Sequence, residues 1–311
     1  MELNLAQLIT NKCEDLLTKR DGLIMGQCLS AVGWVGGTIP KLPDHKGIIE
    51  LSMADVAGGA IAVGAALNGI KPVVYVVRYQ GFLWYNAISI VNYAAKSYEL
   101  FGIKCPLLVR AIAMEGGIGP VAGGSHHSMF MRMPGVNLAA PMTPNEWSEV
   151  WDFHFTNPNP TIISEHRKSY NIIRDFPNNH ISDPEVSILA ISAGRISADE
   201  ASRELRDGGV NSDLYHLLWL SPLKFPTGFF DSLRKSKLCV IVDSDYEYGG
   251  LADILAVQIL KVIPDVQIRV MGLAQKSAGF SPQTDNLTPS SSEIRGEIVS
   301  ILSERSKKAN D

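Results

Sequence analysis

"GIIELSMADVAGGAIAVGAALNGIKPVVYVVRY", residues 47–79, reads as strand, helix, strand. "GIIELS" is apolar and strand-like, and "KPVVYVVRY" is an apolar run without apolar/polar alternation. Such a run marks a strand buried on both faces, as in parallel sheets whose strands are joined by helical crossovers. Between the two lies a helix of alanine, glycine and valine. Gly58, Gly59 and Gly64 each cost it roughly 1 kcal/mol relative to alanine, a cost tolerated where something comes very close to the backbone. Asp55 stands at its head. That carboxylate is either a cap and partner for the helix dipole or an acid with a chemical task.

The same alternation extends in both directions. Leu5, Leu8, Ile9, Cys13, Leu16 and Leu17 recur at helical spacing over residues 3–19, and "GLIMGQ" follows as a short strand. Residues 29–47 read as a loop rich in glycine and proline. "FLWYNAISIVNYAAKSYELFG" reads as one long helix with a glycine stop, "CPLLVRAIA" as a buried strand and "GGIGPVAGGSHH" as a flexible loop. "PNEWSEVWDFHFT" is a helix and "NPTIISEH" a strand. The polar, proline-containing stretch 167–185 reads as a linker. After it come "VSILAISAG", "ADEASRELRDGG", "SDLYHLLWL", "GFFDSLRKS", "KLCVIVDSD", "ADILAVQILKVI" and "VQIRVMGLA", again strand and helix in turn. The expectation is an α/β chain of two doubly wound, mostly parallel-sheet domains, residues 1–166 and 186–302, with a disordered tail over 303–311.

With 311 residues, 46% of them hydrophobic and 19% charged, the chain can build two substantial cores. A net charge of −4 gives no electrostatic reason to expect nucleic acid or an anionic membrane as partner. Cys13, Cys28, Cys105 and Cys239 stand too far apart for a zinc or redox motif, and Cys105 and Cys239, among apolar neighbours, read as buried, reduced thiols. Glu2, Lys12, Glu14 and Asp15 make the first turns unlike a signal peptide, and no apolar run reaches the ~20 residues that span a bilayer. The expected setting is the cytoplasm.

In open parallel sheets, ligands bind beyond the carboxyl ends of the strands. Three segments emerge at that edge: Asp55 after "GIIELS", the aromatics Tyr79, Phe82 and Trp84 with "VVYVVRY", and the loop holding His126 and His127 after "LLVRAIA". An acid, a flat apolar surface and an imidazole can hold a heteroaromatic ring and move protons around it. Phe82 and Trp84 are equally readable as core, and the histidines as structural. No phosphate loop, HExxH, GxSxG or acidic metal cluster is present. The edge looks like half of a site for a phosphorylated cofactor.

At this point a resemblance emerges. "GQCLSAVGWVGGTIPKL", "SMADVAGGAIAVGAALNGIKPVV", "ISIVNYAAKSYELFG", "MPGVNLAAPMTPNE", "PNPTIISEHRKSY" and "VDSDYEYGGLADILA" follow the order found in transketolase-like thiamine diphosphate enzymes. The beta subunit of the 2-oxoacid dehydrogenase decarboxylase component is the member they resemble most. The resemblance implies a pyrimidine-binding domain followed by a transketolase C-terminal-like domain. It implies that thiamine diphosphate binds with its diphosphate and Mg²⁺ held elsewhere, by a GDG motif that this chain lacks. That motif is then expected on an alpha-type partner subunit, in an α₂β₂ assembly dimerised through the C-terminal domain. By the same resemblance the Gly/Ala helix packs at a subunit interface.

Residue roles follow by position. Asp55 falls where relatives have a glutamate that hydrogen-bonds a ring nitrogen of the aminopyrimidine and so promotes deprotonation of the thiazolium carbon. Aspartate is about 1.5 Å shorter in reach. Phe82 falls at the stacking position, with Tyr79 beside it, and Arg78 replaces an apolar neighbour of the cofactor. His127 with Ser128 matches the "HS" of the dehydrogenase subunits, whereas Ser125 with His126 matches the "TH" of transketolases. The resemblance leaves both imidazoles open as the group that protonates or orients substrate oxygens, while "SEHRKSY" is more similar to the dehydrogenase subunits than to transketolases. The implied activity is cleavage of a C–C bond next to a carbonyl, with 2-oxoacid decarboxylation and acyl transfer first. The alternatives are the C-terminal half of a split transketolase, which transfers a two-carbon ketol unit, and a non-catalytic homologue.

Overall fold

The computed structural model describes residues 2–310. In chain order its strands are β1 (Leu23–Gly26), β2 (Ile48–Glu50), β3 (Val73–Val77), β4 (Leu107–Ala113), β5 (Asn137–Ala139), β6 (Thr161–His166), β7 (Val186–Ile191), β8 (Ser212–Leu217), β9 (Trp219–Ser221), β10 (Leu238–Tyr246) and β11 (Gln267–Leu273). The α-helices are α1 (Leu5–Lys19), α2 (Ala31–Gly37), α3 (Asp55–Asn68), α4 (Leu83–Ala87), α5 (Ala95–Phe101), α6 (Ser128–Met131), α7 (Pro144–Thr156), α8 (Gly194–Asp207), α9 (Phe229–Ser236), α10 (Leu251–Val262) and α11 (Ser291–Asn310). None of the described helices is long and apolar enough to cross a membrane.

Two compact units emerge. The first comprises the residues up to 114, 121–175 and 219–223. Its sheet runs β2-β1-β3-β4-β6-β5-β9, parallel throughout except that β9 is antiparallel to β5. Every residue of β3, β4 and β6 is buried, as expected of parallel strands covered on both faces. α1 starts on a reciprocal cap between Asn4 and Gln7 and buries Leu5, Ile9, Cys13, Leu16 and Leu17. The long helix expected over residues 82–102 is a composite. α4 passes into a π-helical stretch, Ile88–Ala94, then into α5, and Gly102 closes it in the left-handed conformation. "SDLYHLLWL" is likewise two strands, not one: β8 ends at Leu217, and β9 belongs to the first unit's sheet.

The second unit comprises residues 115–120, 176–218 and 224 onward. Its four strands run β11-β10-β7-β8, all parallel. Ile188, Leu214, Val240 and Val242 of the sheet form one core with Ala198 and Leu205 of α8 and with Ile294, Ile298 and Ile301 of α11. The tail expected to be disordered is therefore corrected over 303–310. Those residues continue α11, whose earlier turns anchor it to the core, while residue 311 lies outside the described ones.

Candidate active site

The carboxyl ends of β1 and β3, the start of α3 and the turn after β3 enclose a cavity of about 250 Å³. Gln27, Cys28, Ala31, Met53, Tyr75, Val76 and Val77 line it, together with Asp55, Arg78, Tyr79 and Phe82. Four residues expected to bind a cofactor thus share one cavity. Trp84 lies outside it, on α4 and 58% exposed.

Asp55 is the first residue of α3. The N-cap is Ala54, and no side chain caps the helix. Among the described residues, the half-buried Asp55 carboxylate takes no hydrogen bond and no ion pair, so the capping role is not filled by it. Below it, Tyr75 donates from its hydroxyl to Asn86 Oδ1 at 3.1 Å. Burial, and after it the Asp55 charge, push the Tyr75 phenol up to about 12, so it stays protonated. The glycines explain themselves here. A Cβ on Gly58 would stand 2.9 Å from the Tyr75 hydroxyl oxygen, and one on Gly59 only 2.2 Å from Asn86 Oδ1. Their close approach is thus made inside the chain. Gly64, with nothing within 4 Å, is the exposed one.

The turn after β3 brings in the aromatics. Tyr79 and Phe82 meet edge to face, with centroids 5.6 Å apart. Arg78 Nη1 donates to the Cys28 carbonyl at 2.9 Å, and its guanidinium lies 5.8 Å from the Tyr79 ring centroid. Arg78 thereby ties the turn to the loop following β1. That loop is held at both ends. Glu50 accepts from the Leu29 and Ser30 nitrogens at 2.9 and 3.1 Å, and Thr38 accepts from Arg110 Nη2 at 2.8 Å. Between these points, Trp34 and Val35 both have φ of 55°. A left-handed backbone costs non-glycine residues roughly 1–2 kcal/mol each, so it persists only where the surroundings enforce it. Arg110 itself is fully buried and forms a bidentate pair with Glu165 at 2.7 and 2.9 Å, with the Tyr170 hydroxyl donating to the same carboxylate at 2.6 Å. Burial alone would raise the Glu165 carboxyl, yet the Arg110 charge and these hydrogen bonds hold it below the usual carboxylate range.

The two histidines part company. Neither lines the cavity. His126 is half-buried, and its ring borders Gly81: a Cβ there would lie 3.6 Å from His126 Nε2, one residue from Phe82. His127 is only 2% exposed, with Nδ1 3.0 Å from Ser164 Oγ. Gln80, unnoticed in the sequence, accepts from the His126 backbone N–H. Gln27, Cys28, Met53 and Tyr75 were also missed, because nothing in their local sequence distinguishes them from core. Among the described residues, no group of three or more His, Cys, Asp or Glu side chains is arranged to hold a metal.

At its sheet edge the first unit thus holds a mostly apolar cavity, lined by Tyr79, Phe82 and the Asp55 carboxylate. Residues 2–172 match the model of the transketolase pyrimidine-binding domain, and the chain belongs to that family. Among curated proteins it is similar to the pyruvate dehydrogenase E1 component subunit beta of Gracilaria tenuistipitata var. liui. The two are 27% identical over 249 residues, which cover 72% of this chain and 76% of the relative. The protein of the same name from Chaetosphaeridium globosum is 26% identical over 272 residues, 78% of this chain and 79% of the relative. Among solved structures, "Split gene transketolase, inactive beta4 tetramer" superposes with a TM-score of 0.70 at 14% identity, covering 97% of this chain and 99% of that one. This last likeness speaks for the fold alone.

Proposed function

We propose that this chain is the beta-type subunit of a heteromeric thiamine diphosphate enzyme that cleaves a C–C bond next to a carbonyl, and that it supplies the pyrimidine half of the site. The observation that carries this reading is the Asp55 carboxylate, half-buried in an apolar cavity beside Phe82 with its hydrogen-bonding capacity unused. A half-buried carboxylate with no protein partner is free to accept a hydrogen bond, and the ring N–H of an aminopyrimidine in its ring-protonated or imino form offers the donor. The cavity therefore fits that ring. When bound, thiamine diphosphate supplies a nucleophilic carbon for carbonyl addition and stores the electron pair released by the breaking bond.

The chain's own residues hold and tune it. Asp55 keeps a proton at the ring nitrogen, and Phe82 supports the ring face. Tyr79 and Arg78 close the cavity against the Cys28 loop. His126, whose ring borders Gly81, orients or protonates substrate oxygens, while the buried His127 anchors the loop on Ser164. The 311 residues contain no GDG, so the diphosphate and its Mg²⁺ fall to an alpha-type partner, in keeping with relatives named as beta subunits. The same relatives support 2-oxoacid decarboxylation with acyl transfer as the reaction. Ketol transfer between sugars is the second reading, supported by full-length similarity to a split-gene transketolase. That neighbour is an inactive beta4 tetramer, and this chain by itself is likewise expected to be inactive. Replacement of Asp55 by alanine tests the assignment. Turnover of the assembled enzyme is expected to vanish while assembly persists, and unchanged turnover would refute the role.

A further inference from the structure

We propose that Gln80 is a positioning residue: it ties the aromatic turn to the histidine loop and, through Ser164, holds His127 as the tautomer protonated on Nε2. The consequence for turnover rests on the function proposed above, but the tautomer does not.

Gln80 opens the 3₁₀ turn Gln80–Phe82 and is 2% exposed. Its amide has only one workable orientation. The His126 backbone N–H can only donate, so Oε1 faces it. Nε2 is then left to donate to the Ala111 carbonyl at 3.3 Å and to Ser164 Oγ at 2.9 Å. A carbonyl can only accept, so the second contact demands the orientation that the first one set.

Ser164 lies on β6 and is 1% exposed. Its oxygen accepts from Gln80, which leaves a single hydroxyl proton to place. Buried donors find acceptors, and His127 Nδ1 stands 3.0 Å away. The chain of donation therefore runs from Gln80 Nε2–H to Ser164 Oγ–H to His127 Nδ1. Nδ1 is an acceptor in this arrangement, and the neutral ring carries its proton on Nε2. The same glutamine sits two residues before Phe82, with Gly81 against the His126 ring between them. A change at Gln80 thus acts on both histidines and on the stacking wall together, although Gln80 itself does not line the cavity.

The test is two-bond ¹H–¹⁵N correlation spectroscopy of the full chain carrying ¹⁵N-labelled histidine, at a pH of about 8, where an ordinary imidazole is neutral. The His127 signals are identified by their loss in His127→Gln. The native chain is expected to show the Nε2–H pattern at His127. Gln80→Glu keeps an acceptor for the His126 N–H but removes the donor to Ser164. The serine hydroxyl then turns toward the introduced carboxylate, and His127 is expected to shift toward the Nδ1–H form. Ser164→Thr keeps the hydroxyl and should keep the native pattern. An Nδ1–H pattern in the native chain, or a pattern unmoved by Gln80→Glu, would overturn the proposal. In the assembled enzyme, Gln80→Glu should lower kcat roughly tenfold to a hundredfold with KM little changed. A tautomer that switches while kcat holds would sustain the positioning and refute the histidine loop's assigned part in turnover.

Discussion

At the first turn of α3 the Asp55 carboxylate faces a mostly apolar cavity with its hydrogen-bonding capacity unused. In the proposed function that capacity serves the cofactor ring. Asp55→Glu then becomes informative beside the alanine variant, because it adds the methylene whose absence costs about 1.5 Å of reach. Raised turnover in the assembled enzyme would mark the site as a foreshortened version of the family's, and lost turnover would mark it as rebuilt around aspartate. The glycines of the same helix separate just as cleanly. A methyl at Gly59 would collide with Asn86 Oδ1 inside the fold, so Gly59→Ala should destabilise the chain by about 1–3 kcal/mol in denaturant unfolding. Gly64 faces open space, so Gly64→Ala should be neutral or stabilise by up to ~1 kcal/mol. Arg78 drew notice only through the family resemblance, whereas the place of Asp55, Tyr79 and Phe82 at the sheet edge was legible because they follow two strand-like apolar runs. The unused state of the Asp55 carboxylate was not. Nor was the Tyr75–Asn86 pair that two of the glycines accommodate, since it depends on a contact between strand and helix.

At the scale of elements, the chain reads well where hydrophobic pattern alone decides. β3, β4 and β6 are uninterrupted apolar runs, and each is buried from end to end. The pattern gives no warning of the π-helical turn at Ile88–Ala94, because one widened turn barely alters the apolar spacing. It likewise runs β8 and β9 together, since "LLWL" is apolar on both sides of the break. The link from Gln80 to Ser164 joins residues 84 apart, beyond any local pattern. The Arg110–Glu165 pair is of the same kind, and it binds β4 to β6 and, through Thr38, to the cavity loop. Arg110→Ala leaves a buried carboxylate unpaired and should cost about 3–5 kcal/mol, whereas replacing both partners with apolar residues of similar volume should recover most of that loss. The pH dependence has a definite sign. Because the folded-state Glu165 carboxyl lies below its ordinary value, its contribution is complete above about 4.3 and falls away as pH drops through the lowered value. Acid unfolding of the native chain should show this loss, and the doubly apolar variant should lack it.

At the scale of the whole molecule, α3 and the composite helix that follows β3 leave apolar side chains in solvent. Val56, Ile61, Trp84, Ile88, Tyr93 and Phe101 are each roughly half exposed or more. Surfaces of this kind mark interaction sites. Ile61→Asp should therefore leave the folded chain intact by circular dichroism and abolish assembly in size-exclusion chromatography. The central claim is that the cavity is half of an active site completed by another polypeptide. Native mass spectrometry of the chain isolated gently from its own host tests it most directly. An assembly with a second polypeptide carrying a GDG motif, with thiamine diphosphate and Mg²⁺ retained, is the expected result. A homo-oligomer without cofactor, unable to take up thiamine diphosphate and Mg²⁺ on addition, would contradict it.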